Sequence, residues 1–258
     1  MPRIAKSTGR EDQTPSSAEQ TRQALVHAAL KLFGSVGYDG ASTREIAAAA
    51  NANIGSIAYH FGGKEGLRLA VADHIVGIMQ GLAARAAAEA PPMPAASPEL
   101  AEAQLQTMLE RMFAFFVASP EAGEIVPFVL REMSAPTDAF ERIYAGVFEP
   151  MHRRFCGVWE IATGEPAESE ETKISVFTLI GQVVYFRLAR EAVRRRMGWR
   201  EIGPKEVSAV AAVAGRNLKA AIDAHKCLNQ KAAGRSENGD LRASEQSVHE
   251  VREHRSTE

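Results

Sequence analysis

The sequence predicts an all-α protein of about nine helices, with a three-helix head that contains a helix-turn-helix and a helical bundle that follows it. Ser16 with Glu19 and Ser42 with Glu45 have the spacing of capping boxes, which mark helix starts. Apolar residues recur at helical spacing through most of the chain, and clusters of Gly and Pro interrupt them. The predicted divisions are an arm (1–15), a head (16–63), a connecting helix (64–90), a Pro-rich linker (91–98), a bundle (99–225) and a tail (226–258).

Composition indicates a cytoplasmic protein without a membrane segment or cofactor. The chain has 258 residues, 45% of them hydrophobic, so it can bury a sizeable core, and its formal net charge is only -2. The two cysteines, Cys156 and Cys227, form no metal-binding or redox pattern, as expected in a reducing compartment. No apolar run reaches the roughly 18 residues of a membrane span, and the start of the chain has no signal-peptide core.

Both ends of the chain are polar and are predicted to be disordered. Residues 1–15 mix Pro, Ser and Thr with charges of both signs, and residues 226–258 show no sustained period. Arg3, Lys6 and Arg10 could contact a DNA minor groove, but Glu11 and Asp12 dilute the charge, so we favour a solvated arm.

Three helices are predicted in the head. The first begins after Ser16, presents a stripe from Leu25 to Val36 and ends at Gly37. The second begins near Thr43 and stops at the turn Asn51-Ala52-Asn53, because Asn tolerates the left-handed conformation and can cap the next helix. The third spans Ile54 to His60. It turns Ile57, with Phe61 one turn further on, toward the core, and it ends at Gly62-Gly63.

The end of this head has the residues of a known family. Tyr59-His60-Phe61 precedes Lys64-Glu65-Gly66-Leu67, and the region from about Thr21 to Ile75 resembles the DNA-binding domain of the TetR family of bacterial transcriptional regulators. The resemblance implies that Ile54 to His60 is a recognition helix in the major groove. Positions 54 and 58, often Lys and an aromatic in relatives, are Ile54 and Ala58 here, so apolar contacts with thymine methyl groups could replace hydrogen bonds.

The expected DNA contacts divide into two groups. Thr43, Tyr59, His60 and Lys64 would hold phosphates, while Ile54, Gly55, Ser56 and Ala58 would meet base edges. The full predicted set is Thr43, Arg44, Asn53, Ile54, Gly55, Ser56, Ala58, Tyr59, His60 and Lys64. Through residue 75 there are eight basic and seven acidic residues, so the non-specific affinity for DNA should be modest.

The remaining helices form the connecting segment and the bundle. Pro91, Pro92, Pro94 and Pro98 interrupt the chain after the connecting helix, and Pro127 is expected to kink the helix that Ser119-Pro120 begins. The predicted helices cover residues 64 to about 88, 98–117, 120 to about 135, 137–162, 168–197 and 204 to about 225.

Two blocks of the bundle resemble one branch of the same family. VPFVLREMSAPTDAF (126–140) and GQVVYFRLAR (181–190) are similar to the carboxy-terminal domain of the CerR, or CecR, branch of TetR-like regulators. The resemblance implies a homodimer that represses transcription until a small molecule binds the bundle. A dimer is also expected because one recognition helix reads only a few base pairs, and palindromic operators place two heads about 34 Å apart.

The last two helices are the predicted dimer seam, and the bundle interior is the predicted effector site. The Ala- and Val-rich stripe of these two helices would pack against a second copy in a four-helix bundle; alternatively, both helices complete the monomer core. Arg131, His152 and Gln182 are polar groups in apolar stretches, whereas each apolar candidate could equally be plain core. The effector candidates are Met112, Phe113, Phe116, Phe128, Arg131, His152, Phe155, Trp159, Phe177, Gln182 and Tyr185.

Other functions fit the sequence less well. His152 and Cys156 lie one helical turn apart, but no second pair supports a metal site, so no metal is predicted. An enzyme is disfavoured because no set of nucleophile, base and orienting group is recognisable. A co-regulator or scaffold with a degenerate DNA-binding head remains the principal alternative, since the head is nearly neutral.

Overall fold

The structure, a computed structural model, describes residues 16–89 and 97–254, and within these ranges all regular structure is helical. The predicted arm (1–15), most of the linker (90–96) and residues 255–258 lie outside the described residues. The helices are α1 (Ser17–Gly40), α2 (Thr43–Ala49), α3 (Gly55–Phe61), α4 (Lys64–Glu89), α5 (Pro98–Phe113), α6 (Pro120–Ser134), α7 (Asp138–Ile143), α8 (Glu149–Thr163), α9 (Glu170–Leu188), α10 (Arg190–Met197) and α11 (Pro204–His254).

The all-α class is confirmed, and two interruptions account for the larger number of helices. The helix predicted over 137–162 is divided into α7 and α8 by a π-helical segment at Tyr144–Phe148. The helix predicted over 168–197 is divided at Ala189, whose φ of -93° and ψ of 21° leave the helical region. A second π-helical segment, Ala114–Ala118, extends α5.

Most helix starts follow the predicted caps. The hydroxyl of Ser16 accepts a hydrogen bond from the Glu19 backbone N–H at 3.2 Å, which begins α1. Ser97 caps α5 in the same way, with Pro98 as the first helical residue. These contacts satisfy backbone donors that have no partner within the helix. Local sequence therefore places the helix starts well.

The chain forms two compact units. Among the described residues, the head unit contains 16–81 together with 123–144, and the body unit contains 82–89, 97–122 and 145–254. The division falls within α4 and within α6. Residues 123–144, which we predicted to belong to the bundle, therefore pack in the head unit, where Phe128 lies beside Phe33 of α1 with ring centroids 6.4 Å apart.

A close helix crossing explains why α6 packs in the head unit. A Cβ on Gly34 of α1 would approach the backbone nitrogen of Phe128 and the Cβ of Pro127 to 3.3 Å. A larger residue at this position would require α6 to shift by a few tenths of an ångström, so glycine favours this close crossing. Gly37, where we predicted that α1 ends, has φ 83° and bends the chain, and helical structure resumes as far as Gly40.

The body unit has a core built from α5, α8, α9 and α11. Its fully buried members include Phe113, Trp159 and Ile222. The stripe of α11 that we predicted to form the dimer seam lies in this core, because Val210, Ala214, Leu218 and Ile222 are all buried there. That stripe completes the fold of its own unit, which was the alternative interpretation.

The last helix is longer than predicted. We expected a helix end near His225 and a disordered tail, but α11 continues to His254. Residues 226–254 contain no proline and are rich in Ala, Lys, Arg, Glu and Gln, which favour helices even when the segment is too polar to join a core. We inferred disorder from the polarity of this segment, and the helical structure to His254 shows that this inference was wrong.

One helix in the described residues, Lys64–Ala88, has the length and hydropathy that a membrane span requires. It corresponds to most of α4. Its charged residues Arg68 and Asp73 form ion pairs with Glu132 and Arg142 within the head unit. The Arg68–Glu132 pair is nearly buried, whereas both side chains of the Asp73–Arg142 pair are exposed.

Candidate nucleic-acid interface

The turn between α2 and α3 has the predicted geometry. Ser42 and Glu45 form a complete capping box, in which the Glu45 carboxylate accepts from the Ser42 backbone N–H at 2.9 Å and the Ser42 hydroxyl accepts from the Glu45 N–H at 3.1 Å. The bonds from the Ser42 hydroxyl and backbone lower the pKa of Glu45. Asn51 adopts φ 50°, the left-handed conformation. These contacts fix where α2 begins and how it turns into α3.

The second helix of the motif presents one face outward. Ile57 is buried, whereas Gly55 and Ala58 are exposed, and the side chains of Ile54 and Tyr59 are 50% and 83% exposed. The structure places α3 at Gly55–Phe61, one residue later than predicted. A large tyrosine with this exposure, beside small residues on a short capped helix, suits contact with another molecule better than contact with water.

Asn53 and the remaining predicted contacts lie around α3. Asn53 Oδ1 accepts from the Gly55 backbone N–H at 2.8 Å, so its side chain holds the start of the helix. Arg44 is exposed, and Thr43, Ser56, His60 and Lys64 are half-buried. All ten predicted residues are therefore within or beside α2 and α3, and His60 also contacts the Tyr59 ring at a centroid distance of 4.9 Å.

Lys64 opens α4 beside an aromatic ring. Its Nζ lies 4.3 Å from the centroid of the Tyr38 ring, and the guanidinium carbon of Arg68 lies 4.6 Å from the same centroid. Both distances are within the range of a cation–π interaction. Burial, followed by a hydrogen bond with Glu65, raises the pKa of Tyr38. The Tyr38 hydroxyl thus remains protonated, while its ring holds two cations at the start of α4.

The connection between α3 and α4 depends on glycines. Gly62 and Gly63 have φ of 72° and 134°, which non-glycine residues rarely adopt. A Cβ on Gly66 would overlap the backbone carbonyl oxygen of Phe61. Gly66 was not singled out from the sequence, since its position within a helix start gives no turn signal.

Four of the predicted effector residues are gathered in the body unit core. Met112, Phe113, Phe155 and Trp159 are buried there, and Phe116 packs against them. Gln182 is half-buried and accepts a hydrogen bond from the Asn217 side chain at 3.3 Å. Trp159 Nε1 and Thr172 Oγ1 are buried atoms without a hydrogen-bond partner among the residues that the structure describes.

Phe128 and Arg131 are not part of this group, because both pack in the head unit. Arg131 Nε and Nη2 donate to the backbone oxygens of Gly34 and Ser35 at 2.9 and 2.8 Å. The sequence suggested that Arg131 is embedded among apolar neighbours in the bundle, but the residue is exposed. The sequence did not indicate that the partner is the backbone of α1.

Phe177 and Tyr185 lie on the surface of the body unit, with 62% and 58% of each side chain exposed. His152 stacks on Phe177 with centroids 3.9 Å apart, and its Nδ1 is 3.6 Å from the Sγ of Cys156. With Ile174 and Leu188, these two aromatic residues form an exposed stripe along α9, which we call the α9 stripe.

A groove of about 460 Å³ lies between α5 and α11 in the body unit. Its lining combines charged and polar side chains with apolar surface and consists of Glu99, Glu102, Ala103, Gln106, Gly215, Leu218 and Lys219. None of the predicted effector residues lines it. Among the described residues no group of three or more His, Cys, Asp or Glu side chains could hold a metal ion.

Two family models match the chain. A model described as bacterial regulatory proteins of the tetR family matches residues 25–71, which lie within the head unit. A model described as the C-terminal domain of the HTH-type transcriptional dual regulator CecR matches residues 101–225. Both regions overlap the blocks in which the sequence resembles these groups.

Individual proteins give the same result. The HTH-type transcriptional dual regulator CecR of Shigella flexneri is 33% identical over 184 residues, which cover 70% of this chain and 82% of that protein. A TetR-like transcriptional regulator from Rhodococcus sp. RHA1 has a TM-score of 0.56 and 17% identity, covering 82% of this chain and 99% of its own. AibR, crystallised with isovaleryl coenzyme A and operator DNA, has a TM-score of 0.56 and 15% identity, covering 76% of this chain and 97% of its own.

Proposed function

Because this chain belongs to the TetR family of bacterial transcriptional regulators and has a carboxy-terminal domain of the CecR type, we propose that it is a homodimeric repressor in the cytoplasm. It reads a palindromic operator through α3 and leaves the operator when a small molecule binds the body unit. The DNA-reading part of this proposal rests on the exposed face of α3, where Tyr59 is 83% exposed.

Base reading is assigned to the outward face at the start of α3. Gly55 and Ala58 are exposed and small, so the backbone can approach base edges closely. Ile54 and Ala58 offer apolar surface to thymine methyl groups, and Ser56 offers a hydroxyl. This chemistry favours operators with thymines in the contacted half-site.

Phosphate contact is assigned to residues around that face. Lys64 and Thr43 begin helices, where free backbone N–H groups also attract phosphate, and Tyr59 and His60 flank the recognition surface. Arg44 is exposed beside Thr43 and adds a second cation. Few cations serve this surface, so each should carry a measurable share of the salt dependence of binding.

The test compares DNA binding by Lys64→Ala and Tyr59→Phe with binding by the wild type. The probe is a duplex that the wild-type protein selects from a random-sequence library, and binding is followed by fluorescence anisotropy at several salt concentrations. Lys64→Ala should weaken binding and reduce the slope of log K against log salt by about 0.9, the value expected for one lost phosphate contact. Tyr59→Phe should weaken binding about tenfold at most, since it removes one hydrogen bond.

Lys205→Ala, a cation of the body unit in α11, provides the control and should leave both quantities unchanged. If Lys64→Ala and Tyr59→Phe both bind as the wild type does, the phosphate assignment is wrong. Failure of the wild type to select any duplex at low salt would instead favour the co-regulator or scaffold alternative.

The α9 stripe supports a homodimer. Ile174, Phe177, Tyr185 and Leu188 recur at helical spacing and are all about half exposed or more. Val213 of α11 is also exposed, and its neighbours Ala209 and Ala220 are small enough for close packing. A two-fold pairing of α9 and α11 would bury this apolar surface in a four-helix arrangement.

The body unit core supports the effector part of the proposal. Trp159 Nε1 and Thr172 Oγ1 are buried polar atoms without a described partner, and such atoms cost free energy unless something bonds to them. A small molecule that accepts a hydrogen bond from the indole N–H and packs against Phe113 and Phe155 would suit this core. AibR, a fold relative, was crystallised with both a small acyl-coenzyme A molecule and operator DNA.

Repression is the simplest outcome of operator binding, because a bound dimer excludes other proteins from the same DNA. The relative from Shigella flexneri is named a dual regulator, so a reporter assay should measure both directions of the response. If transcription from the promoter is stronger when the regulator is present, activation replaces repression in this proposal.

A further inference from the structure

The head unit contains a buried ion pair that none of the proposed DNA contacts includes. The side chain of Glu132 in α6 is 3% exposed, and that of Arg68 in α4 is 14% exposed. Arg68 Nε and Nη2 both donate to Glu132 Oε1 at 2.8 Å. Glu132 Oε2 accepts from the Thr137 hydroxyl at 2.6 Å. Because a buried carboxylate requires its partners, the position of Glu132 determines the position of the Arg68 guanidinium.

The Arg68 guanidinium in turn packs on the ring of Tyr38, which also contacts Lys64. Its central carbon is 4.6 Å from the centroid of the Tyr38 ring, and Lys64 Nζ is 4.3 Å from the same centroid. Lys64 and Arg68 are one turn apart on α4, so the ring of Tyr38 contacts two successive turns of that helix. The chain of contacts therefore runs from α6 through Arg68 and Tyr38 to Lys64.

Arg131, the residue before Glu132, holds the end of α1. Arg131 donates to the backbone oxygens of Gly34 and Ser35, just before the bend at Gly37 and the ring of Tyr38. Two adjacent residues of α6 thus hold the end of α1 and the second turn of α4. A displacement of this part of α6 would disturb the surroundings of Lys64 while leaving α3 itself unchanged.

We propose that Glu132 is a positioning residue for the phosphate contact of Lys64, acting through Arg68 and the ring of Tyr38. The inference rests on the proposed function, in which Lys64 contacts a phosphate. A lysine that is already held against a ring loses less side-chain freedom when it binds. Glu132 lies outside the helix-turn-helix, so this role is additional to the DNA-contact set.

The experiment is a double-mutant cycle on DNA binding, with the duplex selected by the wild type as the probe. Glu132→Gln and Tyr38→Leu should each raise Kd by about fivefold, the size expected for loss of a cation–π contact. Tyr38→Phe keeps the ring and loses only the hydroxyl, so it should lose less affinity than Tyr38→Leu does. In a Lys64→Ala background neither Glu132→Gln nor Tyr38→Leu should weaken binding further.

DNA binding in the Lys64→Ala background distinguishes a positioning role of Glu132 from a purely structural role. A merely structural Glu132 would cost the same factor in Kd with or without Lys64, and that additivity would overturn the proposal. Circular dichroism melts show whether Glu132→Gln folds. If it does not, Arg68→Lys keeps a cation opposite Glu132 but loses the planar, two-bond contact, and it should give the same Lys64-dependent loss.

The proposed function and the positioning role fail in different ways. If Lys64→Ala binds DNA as the wild type does, the phosphate contact is wrong and the positioning role is wrong with it. If Lys64→Ala weakens binding while Glu132→Gln and Arg68→Lys do not, only the positioning role is overturned.

Discussion

Gly66 is the residue on which the junction between α3 and α4 most directly depends. A Cβ there would overlap the backbone oxygen of Phe61, and backbone cannot move aside as a flexible side chain can. The two preceding glycines, Gly62 and Gly63, already use left-handed conformations to turn the chain. Close contact between the end of α3 and the first turn of α4 therefore holds α3 against α4.

Replacement of Gly66 by Ala should destabilise the protein by about 2 kcal/mol, within the range for forced overpacking. Gly77 provides the matched control, because it lies in the same helix and a Cβ there meets nothing within 4 Å. Gly77→Ala should be neutral or stabilising by up to about 1 kcal/mol, since Ala favours a helix over Gly. Urea denaturation measures both, and equal stability of the two variants would contradict this account of Gly66.

At the residue scale, sequence predicted the local contacts and missed the distant ones. Caps such as Ser42 with Glu45, and the left-handed Asn51, depend on neighbours within a few positions. The partner of Arg68 is Glu132, which lies 64 residues along the chain, and no short-range pattern relates the two. Arg131 illustrates the same limit, because its apolar neighbours suggested burial, whereas the residue is exposed and bonds to the backbone of α1.

At the scale of elements, α9 has apolar residues on two opposite sides. Val176, Leu179 and Val183 face the core of the body unit, whereas Phe177 and Tyr185 are exposed. From sequence this helix was assigned to the dimer seam, while Phe177 and Tyr185 were placed among the effector candidates of the bundle interior. Apolar residues on both sides of a helix indicate that both faces are suited to burial. They do not indicate which partner packs against each face.

Tyr185→Glu should convert the dimer to a monomer, because it would place a charge in the middle of the α9 stripe. Leu100→Glu makes a comparable change on an exposed leucine of α5 and should leave the dimer intact. Light scattering after gel filtration distinguishes the monomer mass of 27.9 kDa from twice that value. A Tyr185→Glu protein that keeps the mass of the wild-type dimer would exclude this stripe as the seam.

The proposed seam uses the same helices as the sequence-based prediction but a different face of α11. Sequence pointed to the last two helices because of their Ala- and Val-rich stripe, and the part of that stripe on α11 is buried within its own unit. The exposed side of α11, with Ala209, Val213 and Ala220, is less hydrophobic and was not noticed. Periodicity identifies a stripe, whereas only tertiary packing shows which stripe remains uncovered.

At the scale of the whole molecule, the order of the chain does not match the order of the compact units. Residues 123–144 belong with the amino-terminal part of the chain, although a connecting helix and α5 separate them in sequence. The packing of residues 123–144 in the head unit could not be predicted, because the apolar pattern of VPFVLREMSAPTDAF would suit either unit. Assignment to the family, in contrast, was readable early, and the two family models confirm it.

Footprinting of the selected duplex with hydroxyl radicals tests the central claim, that two copies of α3 read one operator, most directly. The proposal predicts two protected half-sites of related, inverted sequence whose centres lie about 34 Å, or one helical turn, apart. Lys64→Ala should weaken protection at both half-sites equally. A single protected segment without a symmetric partner, or no protection at low salt, would contradict the proposal.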